Sequence, residues 1–452
     1  MVISKYPPGP DRTVFHAILS TIRQQQDRLA YLIAINRTYG DIVHFHTGLR
    51  DIYLLVQPEY IHSVLVEQAD KFYKTRPFKR ALGKYLGQGL LVLDGDEHRR
   101  ERRLAQPAFH HQRIEAYAAV MVSFTERLMA RWRHGHTMDV AQEMMALTSS
   151  IVAKTLFDAD VSHDAEVIGQ SMATLQEATI IQFDPVRRLL TGLSPQQRRA
   201  ENEAIRALDE IIFRIIDERR AAKIDKGDLL SMLLISAEAD EQPSMQRVRD
   251  EVISLFLAGH ETTANVLTWA WYLLALHPEV ADKLHTEVAS VLGGRAATAQ
   301  DMAHLPYATM IIKETLRLYP SAWVITREAI TEVEIGGYRL KAGSVAVISP
   351  YITHRHAAYY PDPLAFRPER FAAGAEQTLP RFAYFPFSGG PRVCIGQSFA
   401  MMEAVLILAT IAQRFQLDLM PDQQIDIEPL ITLRAKHGIR MTPVQLPNPV
   451  MA

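Results

Sequence analysis

The sequence predicts a mainly α-helical protein with small β-sheets, a protein of the α+β class. Most of the chain shows apolar residues at helical spacing, whereas two short regions show the alternation and turn residues of β-strands. The 452-residue chain is 48% hydrophobic and 22% charged, as in an ordinary globular protein. Because no serine-, glycine- or charge-rich linker divides the chain, we expect residues 1–452 to form a single domain.

Two regions favour β-structure. Near the start, segments 42–46 and 52–56 flank a glycine-containing turn, which predicts a short hairpin. A second β region runs from Val333 to Ile348 and turns at residues 336–337 and 341–343. We expect these regions to form the smaller, sheet-rich portion of the protein.

Six stretches have the period and flanking residues of α-helices. They are Gln112 to Arg133, Ala200 to Arg220, Arg247 to Leu276, Pro278 to Leu292, Tyr307 to Leu318 and Ser398 to Phe415. The third is nearly apolar over much of its length, but His260 and Glu261 at its centre would be costly in a bilayer. We therefore expect a buried central helix of a water-soluble protein.

Charge and cysteine content narrow the functional class. Lysine and arginine total 49 against 51 acidic residues, which argues against nucleic acid as the main partner. A single cysteine excludes an intramolecular disulfide, so the cytoplasm is the expected compartment. Residues Met1 to Arg12 lack the apolar core of a signal peptide or a membrane anchor, so we expect no anchor.

The cysteine lies in the most informative segment of the chain. Cys394 follows a glycine-rich stretch and precedes an apolar helical pattern, where the helix dipole favours a thiolate. Gly389 and Gly390 can admit a close backbone approach, and Arg392 places a cation two residues from the sulfur. The alternative is an ordinary buried thiol that packs as a small hydrophobic group.

The same loop carries a family resemblance. Its matching positions are Phe387, Gly390, Arg392, Cys394 and Gly396, which fit the haem-binding pattern F-x-x-G-x-R-x-C-x-G of the cytochrome P450 family. The chain resembles that family over most of its length, which implies the cytochrome P450 fold and haem b as the cofactor. The resemblance implies that Cys394 is the axial thiolate, that Phe387 packs beside the sulfur, and that Arg392 meets a haem propionate. Gly396 belongs to the same cofactor loop.

On the central helix, Ala258, Gly259, Glu261 and Thr262 match the family pattern A-G-x-E-T. Ala258 and Thr262 are four residues apart and share a helix face, and Gly259 suggests that room is needed there. The resemblance implies that Ala258 faces the haem, that Thr262 assists oxygen activation, and that Glu261 supplies protons. Alternatively, the Thr262 hydroxyl bonds back to the carbonyl one turn earlier.

Two further motifs suggest structural support for the haem pocket. Glu314 and Arg317 match the family motif E-x-x-R, although such a pair is also common on helix surfaces. Arg370 lies in a Pro-Glu-Arg-Phe sequence within the proline-rich segment 351–386, which resembles the family's meander. The resemblance implies that Glu314, Arg317 and Arg370 form a triad that links the helix to the meander.

Haem propionates are carboxylates that need cationic partners when they are buried. Besides Arg392, the resemblance points to Arg327 and to the pair His98 and Arg102, where His98 replaces the tryptophan of the usual W-x-x-x-R pattern. The arginines at 99, 100, 102 and 103 form a basic run. Such a run is either a solvated helix face or a surface for an electron-transfer partner.

The resemblance as a whole implies a haem-thiolate monooxygenase. The positions expected around the substrate are apolar, which predicts a hydrophobic substrate such as a terpenoid, fatty acid, steroid or polyketide-like molecule. These positions are Phe256, Trp323, Val324 and Thr432. One oxygen atom of O2 would be inserted by hydroxylation or epoxidation.

The sequence also indicates the partners of this reaction. It lacks the cysteines of an iron–sulfur cluster, so electrons are expected from NAD(P)H through a separate ferredoxin or flavodoxin-type donor and its reductase. We expect a monomer. Two alternatives remain at this point: a peroxide-driven or non-oxygenating haem-thiolate enzyme, and a haem-binding sensor without catalysis.

Overall fold

The computed structural model describes residues 6–10, 27–47, 50–183, 194–239 and 244–447. Within these ranges the chain is mainly helical and carries small separate sheets, which confirms the predicted fold class. The centre of the predicted hairpin turn, residues 48–49, lies outside the described residues. So does most of the N-terminal stretch 1–12 in which no anchor is expected.

The α-helices account for most of the described chain. In chain order they are α1 (Arg28–Tyr39), α2 (Pro58–His62), α3 (Arg76–Leu86), α4 (Gly95–Ala105), α5 (His111–Met129), α6 (Val140–Phe157), α7 (Ala165–Phe183), α8 (Pro195–Ala222), α9 (Leu229–Ala239), α10 (Met245–Leu276), α11 (Pro278–Leu292), α12 (Pro306–Leu318), α13 (Pro350–Thr353) and α14 (Gln397–Ala412).

The β-strands are short and belong to four sheets in the described part of the chain. They are β1 (Ile42–Thr47), β2 (Arg50–Leu55), β3 (Phe72–Tyr73), β4 (Met138–Asp139), β5 (Ile325–Ala329), β6 (Val333–Ile335), β7 (Tyr338–Leu340), β8 (Val345–Ile348), β9 (Phe415–Leu419), β10 (Ile427–Pro429), β11 (Leu433–Ala435) and β12 (Arg440–Gln445).

All six predicted helices are present; α11 has the predicted ends, and the other five have at least one shifted end. Helix α8 begins at Pro195 because the Ser194 side chain accepts a hydrogen bond from the Gln197 backbone, and Gln197 reciprocates to form a capping box. Helix α5 ends at Met129, before the turn in which Gly135 has a φ of 79°. Helix α14 ends at Ala412, and the next strand starts three residues later.

The largest sheet has five strands in the order β1-β2-β8-β5-β3. The predicted hairpin is confirmed as the antiparallel pair β1 and β2, and β2 continues into a parallel pairing with β8. The second predicted β region divides between two sheets. Strands β6 and β7 pair with each other around Gly336 and Gly337, which have φ values of 58° and 79°, while β8 joins the large sheet.

Helix α10 is the central element of the helical portion. It begins at its cap, Ser244, and packs against α6, α8, α9, α11, α12 and α14. Most of its side chains are buried, as predicted. Among the residues that the structure describes, no helix is both long enough and apolar enough to cross a membrane.

A buried ion pair connects α12 to the segment before the cysteine loop. Glu314 and Arg317, both fully buried, meet through two hydrogen bonds of 2.6 and 2.8 Å. Glu314 also lies 3.4 Å from Arg370 and accepts the backbone N–H of Arg367 at 2.9 Å. The Arg317 guanidinium donates to the backbone carbonyls of His354, Pro363 and Ala365.

A second buried carboxyl, Glu251 on α10, forms no such ion pair with the described residues. Its side chain is 1% exposed, and neither oxygen has a partner of good hydrogen-bond geometry within the described ranges, although the nearby Leu90 backbone and Arg247 partly stabilise its charge. Burial, reinforced by the negative charge of Glu101 on α4, raises the pKa of Glu251 to about 8. Glu251 is therefore protonated in the folded protein at neutral pH.

This proton makes stability depend on pH. Between the ordinary glutamate pKa of about 4.3 and pH 8, the unfolded chain binds fewer protons than the folded one, so the free energy of unfolding falls as pH rises. We expect the Glu251→Gln variant to gain a few kcal/mol relative to the wild type by pH 9, and to lose this gain towards pH 4. Denaturant unfolding across this range measures the difference. A difference between Glu251→Gln and the wild type that does not change with pH would contradict the prediction.

Candidate active site

A cavity of about 1010 Å³ lies between α10, the cysteine loop and the large sheet. Most of its lining is apolar and comes from elements far apart in sequence. The apolar lining includes Ile52, Phe78, Leu90, Leu255, Val266, Ile325, Val345, Val347, Leu430 and Ile431. This arrangement can hold a large hydrophobic molecule away from bulk water.

Cys394 opens into this cavity at the start of α14. Its backbone N–H donates to the Phe387 carbonyl at 3.0 Å, which closes the loop, and both residues line the cavity. Burial raises the pKa of the thiol, and the opposing effects of the Gly396 backbone N–H and of Arg102 are smaller. Cys394 is nevertheless exposed to the cavity, so its thiolate form stays a prediction. A bound metal cation would supply the missing stabilisation of the anion.

The loop glycines serve two different purposes. Gly390 has a φ of 66°, and a Cβ there would lie 1.9 Å from the Leu65 carbonyl oxygen. A Cβ at Gly389 would lie 2.3 Å from the Phe382 ring. The close approach predicted at Gly389 and Gly390 is therefore to other parts of this protein and not to a ligand. At Gly396, by contrast, a Cβ would meet only Phe109, at 3.6 Å, and the residue lines the cavity.

The predicted propionate partners come together on one side of the cavity. Arg102, Arg327, Arg392 and His98 all line it, and Lys74 joins them; we call these five residues the inner cluster. Sequence reasoning missed Lys74, since it belongs to no motif and only the fold brings it here. Asp94 is the carboxylate at the centre of the cluster: it pairs with Arg392 and accepts the Lys74 backbone N–H at 3.2 Å.

The electrostatics of the inner cluster fit an anionic ligand. Burial, followed by repulsion from Arg392, lowers the pKa of Arg327 to about 10 and that of His98 to about 3. Burial, followed by repulsion from Arg327, lowers the pKa of Lys74 well below its ordinary value. At its pKa of about 3, the His98 ring is neutral at pH 7 and can donate one ring N–H to a carboxylate, so its contact with a propionate stays a prediction. The cations outnumber Asp94, as expected of a site for the two carboxylates of a haem.

The central helix presents the predicted face to the cavity. Ala258, Gly259 and Thr262 all line it. The Thr262 hydroxyl donates to the Ala258 carbonyl one turn earlier, at 2.9 Å. Thr262 therefore forms this hydrogen bond within the helix and also lines the cavity, so the two alternatives for its side chain are compatible. The room created by Gly259 is used by α6, because a Cβ there would lie 3.0 Å from Val152.

Glu261 points elsewhere. It is buried and does not line the cavity; instead it accepts a hydrogen bond from the Thr432 hydroxyl, which in turn accepts one from Asn265 at 3.1 Å. The prediction that Thr432 is a substrate-pocket residue is therefore wrong. Its polar side chain is used to satisfy a buried carboxyl, a role that only the fold reveals.

Of the other three residues predicted for the substrate pocket, two line the cavity and one does not. Trp323 and Val324 line the cavity as expected. Phe256 does not: it is 2% exposed and packs on the His260 ring, with 5.1 Å between the ring centroids. Its neighbour Leu255 lines the cavity instead, because one residue along a helix turns a side chain by about 100°.

The loop glycines provide a matched test. Gly390→Ala should cost about 2–4 kcal/mol in the free energy of unfolding, because the methyl group meets a backbone carbonyl at a positive φ. Gly396→Ala should change the free energy of unfolding by about 1 kcal/mol or less and lower the haem content per chain, because its methyl group enters the cavity. Chemical denaturation and the ratio of haem to protein absorbance measure both effects. Equal destabilisation by the two variants would refute this assignment.

Comparison with known proteins places the chain in a family. The sequence model described as Cytochrome P450 matches residues 7–441. Cyclooctatin synthase of Streptomyces melanosporofaciens is 38% identical, over 96% of this chain and 94% of the relative. Cyclooctat-9-en-7-ol 5-monooxygenase of the same organism is 35% identical, over 85% and 84%. Pentalenene oxygenase of Streptomyces avermitilis is 32% identical, over 96% and 95%.

These matches span nearly the whole chain and include named oxygenases. They agree with the thiol, the cationic cluster and the apolar walls of the cavity. The chain therefore belongs to the cytochrome P450 family, as a haem b monooxygenase that inserts one oxygen atom of O2 into a hydrophobic small molecule and takes electrons from NAD(P)H through redox proteins.

Proposed function

We propose that this monooxygenase oxidises a terpenoid-class substrate, with Cys394 as the haem ligand. The observation that carries the proposal is the cavity itself, which places the chain's single thiol, an excess of cations and a large apolar wall around one space. Relatives whose names refer to cyclooctat-9-en-7-ol and pentalenene favour this substrate class. The same apolar walls would also accept fatty acid, steroid and polyketide-like substrates, so the choice of class rests on the relatives.

In this proposal the inner cluster holds the haem. Arg102, Arg327 and Arg392 provide positive charge for the propionates, and Lys74 and His98 provide further hydrogen-bond donors beside them. Phe387, Ala258 and Gly396 form the apolar surface beside the ring. When bound, the haem supplies the activation of O2. The apolar side chains position the substrate and exclude water.

Protons would come through α10. The Thr262 hydroxyl faces the cavity and can donate or accept a proton there, and Glu261 is the acid next to it in sequence. Thr432 and Asn265 hold the Glu261 side chain outside the cavity and act as positioning residues. The bond from Thr432 engages one oxygen of Glu261, which leaves the other oxygen free to exchange protons.

The triad of Glu314, Arg317 and Arg370 would support the pocket without taking part in chemistry. Electrons would arrive from a separate ferredoxin or flavodoxin-type protein at α4, where the arginines at 99, 100 and 103 are exposed. Arg102 is not part of that surface, since it turns inward and donates to the Val393 carbonyl at 2.8 Å. We further propose that the protein is a single-domain monomer of the cytoplasm.

The thiolate assignment has a direct optical test. The reduced protein with carbon monoxide should give a strongly red-shifted Soret band, which Cys394→Ser should abolish because a hydroxyl is a poor substitute for thiolate. Val393→Ala, which alters the neighbouring cavity residue, serves as the control and should keep the band. A band that survives in Cys394→Ser would reject Cys394 as the ligand.

The role of Thr262 is tested by coupling, the amount of product formed per NAD(P)H oxidised. Thr262→Val should lower coupling about tenfold or more, because a cavity-facing hydroxyl is lost. Thr268→Val is the matched control, since Thr268 is buried on the same helix and makes the same kind of back-bond, to Ala264 at 2.8 Å. Both variants lose one back-bond and differ only in exposure to the cavity. Equal coupling in the two would exclude the proposed role.

A further inference from the structure

The hairpin of β1 and β2 has two unlike faces. Phe45 and Ile52 lie opposite each other in the hairpin register, and both line the cavity. Because side chains alternate along a strand, the neighbouring residues His44, His46 and Asp51 lie on the other face. None of these three is among the described residues that line the cavity. The hairpin therefore places a group of polar side chains behind the cavity wall.

These side chains converge on one point. We call His44, His46 and Asp51 the hairpin cluster. The two histidines are two residues apart on β1, and Asp51 on β2 pairs directly with His46. Asp51 Oδ1 lies 2.7 Å from His44 Nε2 and 3.5 Å from His46 Nδ1. One ligand atom of each residue lies within 4.8 Å of those of the other two, so all three could bind the same metal ion.

The charge of the hairpin cluster favours a cation. Within the described part of the chain, Asp51 forms ion-pair contacts with the two histidines and with no lysine or arginine. Its carboxylate therefore faces two imidazole rings and no permanently charged group. A hydrogen bond from His44 alone explains the 2.7 Å contact but not the approach of His46 to the same oxygen.

The hairpin cluster is held in place on its inner side and open on its outer side. His44 is 1% exposed, and its ring packs on the rings of Tyr6 and Tyr53 with centroid distances of 4.7 and 4.9 Å. The side chains of His46 and Asp51 are 27% and 22% exposed. One ligand is therefore fixed by packing, while an ion can enter from solvent and keep water in its remaining coordination position.

We propose that the hairpin cluster binds a divalent transition-metal ion of the zinc type, which links β1 to β2 behind the cavity wall. Two imidazole nitrogens and one carboxylate oxygen suit zinc, whereas Mg²⁺ and Ca²⁺ prefer oxygen ligands. Ligand atoms around a tetrahedral zinc ion lie roughly 3.3 Å apart, so the 2.7 Å contact between His44 and Asp51 must open by about 0.6 Å. The ion replaces the hydrogen on Nε2 of His44, and the neutral ring then carries its proton on Nδ1.

Equilibrium dialysis of the tag-free, full-length protein against Zn²⁺ gives the number of ions bound per chain and their dissociation constants. We expect His46→Ala, and independently Asp51→Ala, to weaken one site about tenfold or more, since even the partners of metal ligands usually contribute that much. Excess Mg²⁺ should not displace the Zn²⁺. Circular dichroism of each variant verifies that it is folded.

The matched control is His62→Ala. The His62 side chain is 28% exposed, close to the value for His46, and it lies 3.2 Å from the carboxylate of Glu67. This pair belongs to no cluster of three possible ligands among the described residues. The control removes a histidine from a histidine–carboxylate pair and should leave Zn²⁺ binding unchanged.

Amide hydrogen exchange locates the bound ion. Zn²⁺ should slow exchange in β1 and β2 of the wild type, because an ion held by both strands opposes their separation. The β6–β7 hairpin is the internal reference and should show no change. His46→Ala should lose the protection of β1 and β2, and His62→Ala should keep it.

Two results would overturn the inference. One is Zn²⁺ binding whose dissociation constants agree within about twofold between the wild type and His46→Ala. The other is bound Zn²⁺ that leaves exchange in β1 and β2 unchanged, which would assign the ion to a different surface. Neither measurement depends on the haem or on turnover, so the proposed function is tested separately.

Discussion

The buried pair of Glu314 and Arg317 is the constraint on which the site depends. Neither side chain reaches solvent, so each charge must be satisfied inside the protein or the fold loses several kcal/mol. Arg317 meets this need by donating to carbonyls of residues 354, 363 and 365, a stretch with little regular secondary structure to satisfy them. The pair therefore fixes the path of the chain that leads to the cysteine loop. The position of Cys394 follows from this path and from the contact of Gly390 with the Leu65 carbonyl.

The cavity shows how charge is distributed when a binding site is enclosed. Asp94 pairs with Arg392, and the arginines that line the cavity beside it outnumber this carboxylate. Burial and repulsion from Arg392 lower the pKa of His98 to about 3, so its imidazole is neutral there. Apolar side chains form most of the remaining cavity wall.

Sequence motifs predicted the residues whose spacing is fixed by local structure. The positions of Cys394, Phe387 and Arg392 in one loop, and of Ala258 and Thr262 on one helix face, required no knowledge of the rest of the fold. The predictions that failed depended on long-range packing or on a single residue of helical rotation. Phe256 lies one position from the cavity-facing Leu255, and Thr432 is engaged by a carboxyl on another element. Lys74 reaches the cavity only through tertiary structure, and no local pattern indicates it.

The parallel pairing of β2 with β8 has a consequence for the order of folding. The pairing joins Ile52 to Val345, so the large sheet cannot close until most of the chain has left the ribosome. Until then the early hairpin presents an unpaired strand edge and half of its apolar surface to solvent. Arg50 and Glu328 meet for the first time in the same late event, since both lie on strands of this sheet. The cavity wall that Ile52 and Val345 line is therefore among the last parts of the protein to form, and an incomplete chain would expose an aggregation-prone edge before it had any capacity to bind a substrate.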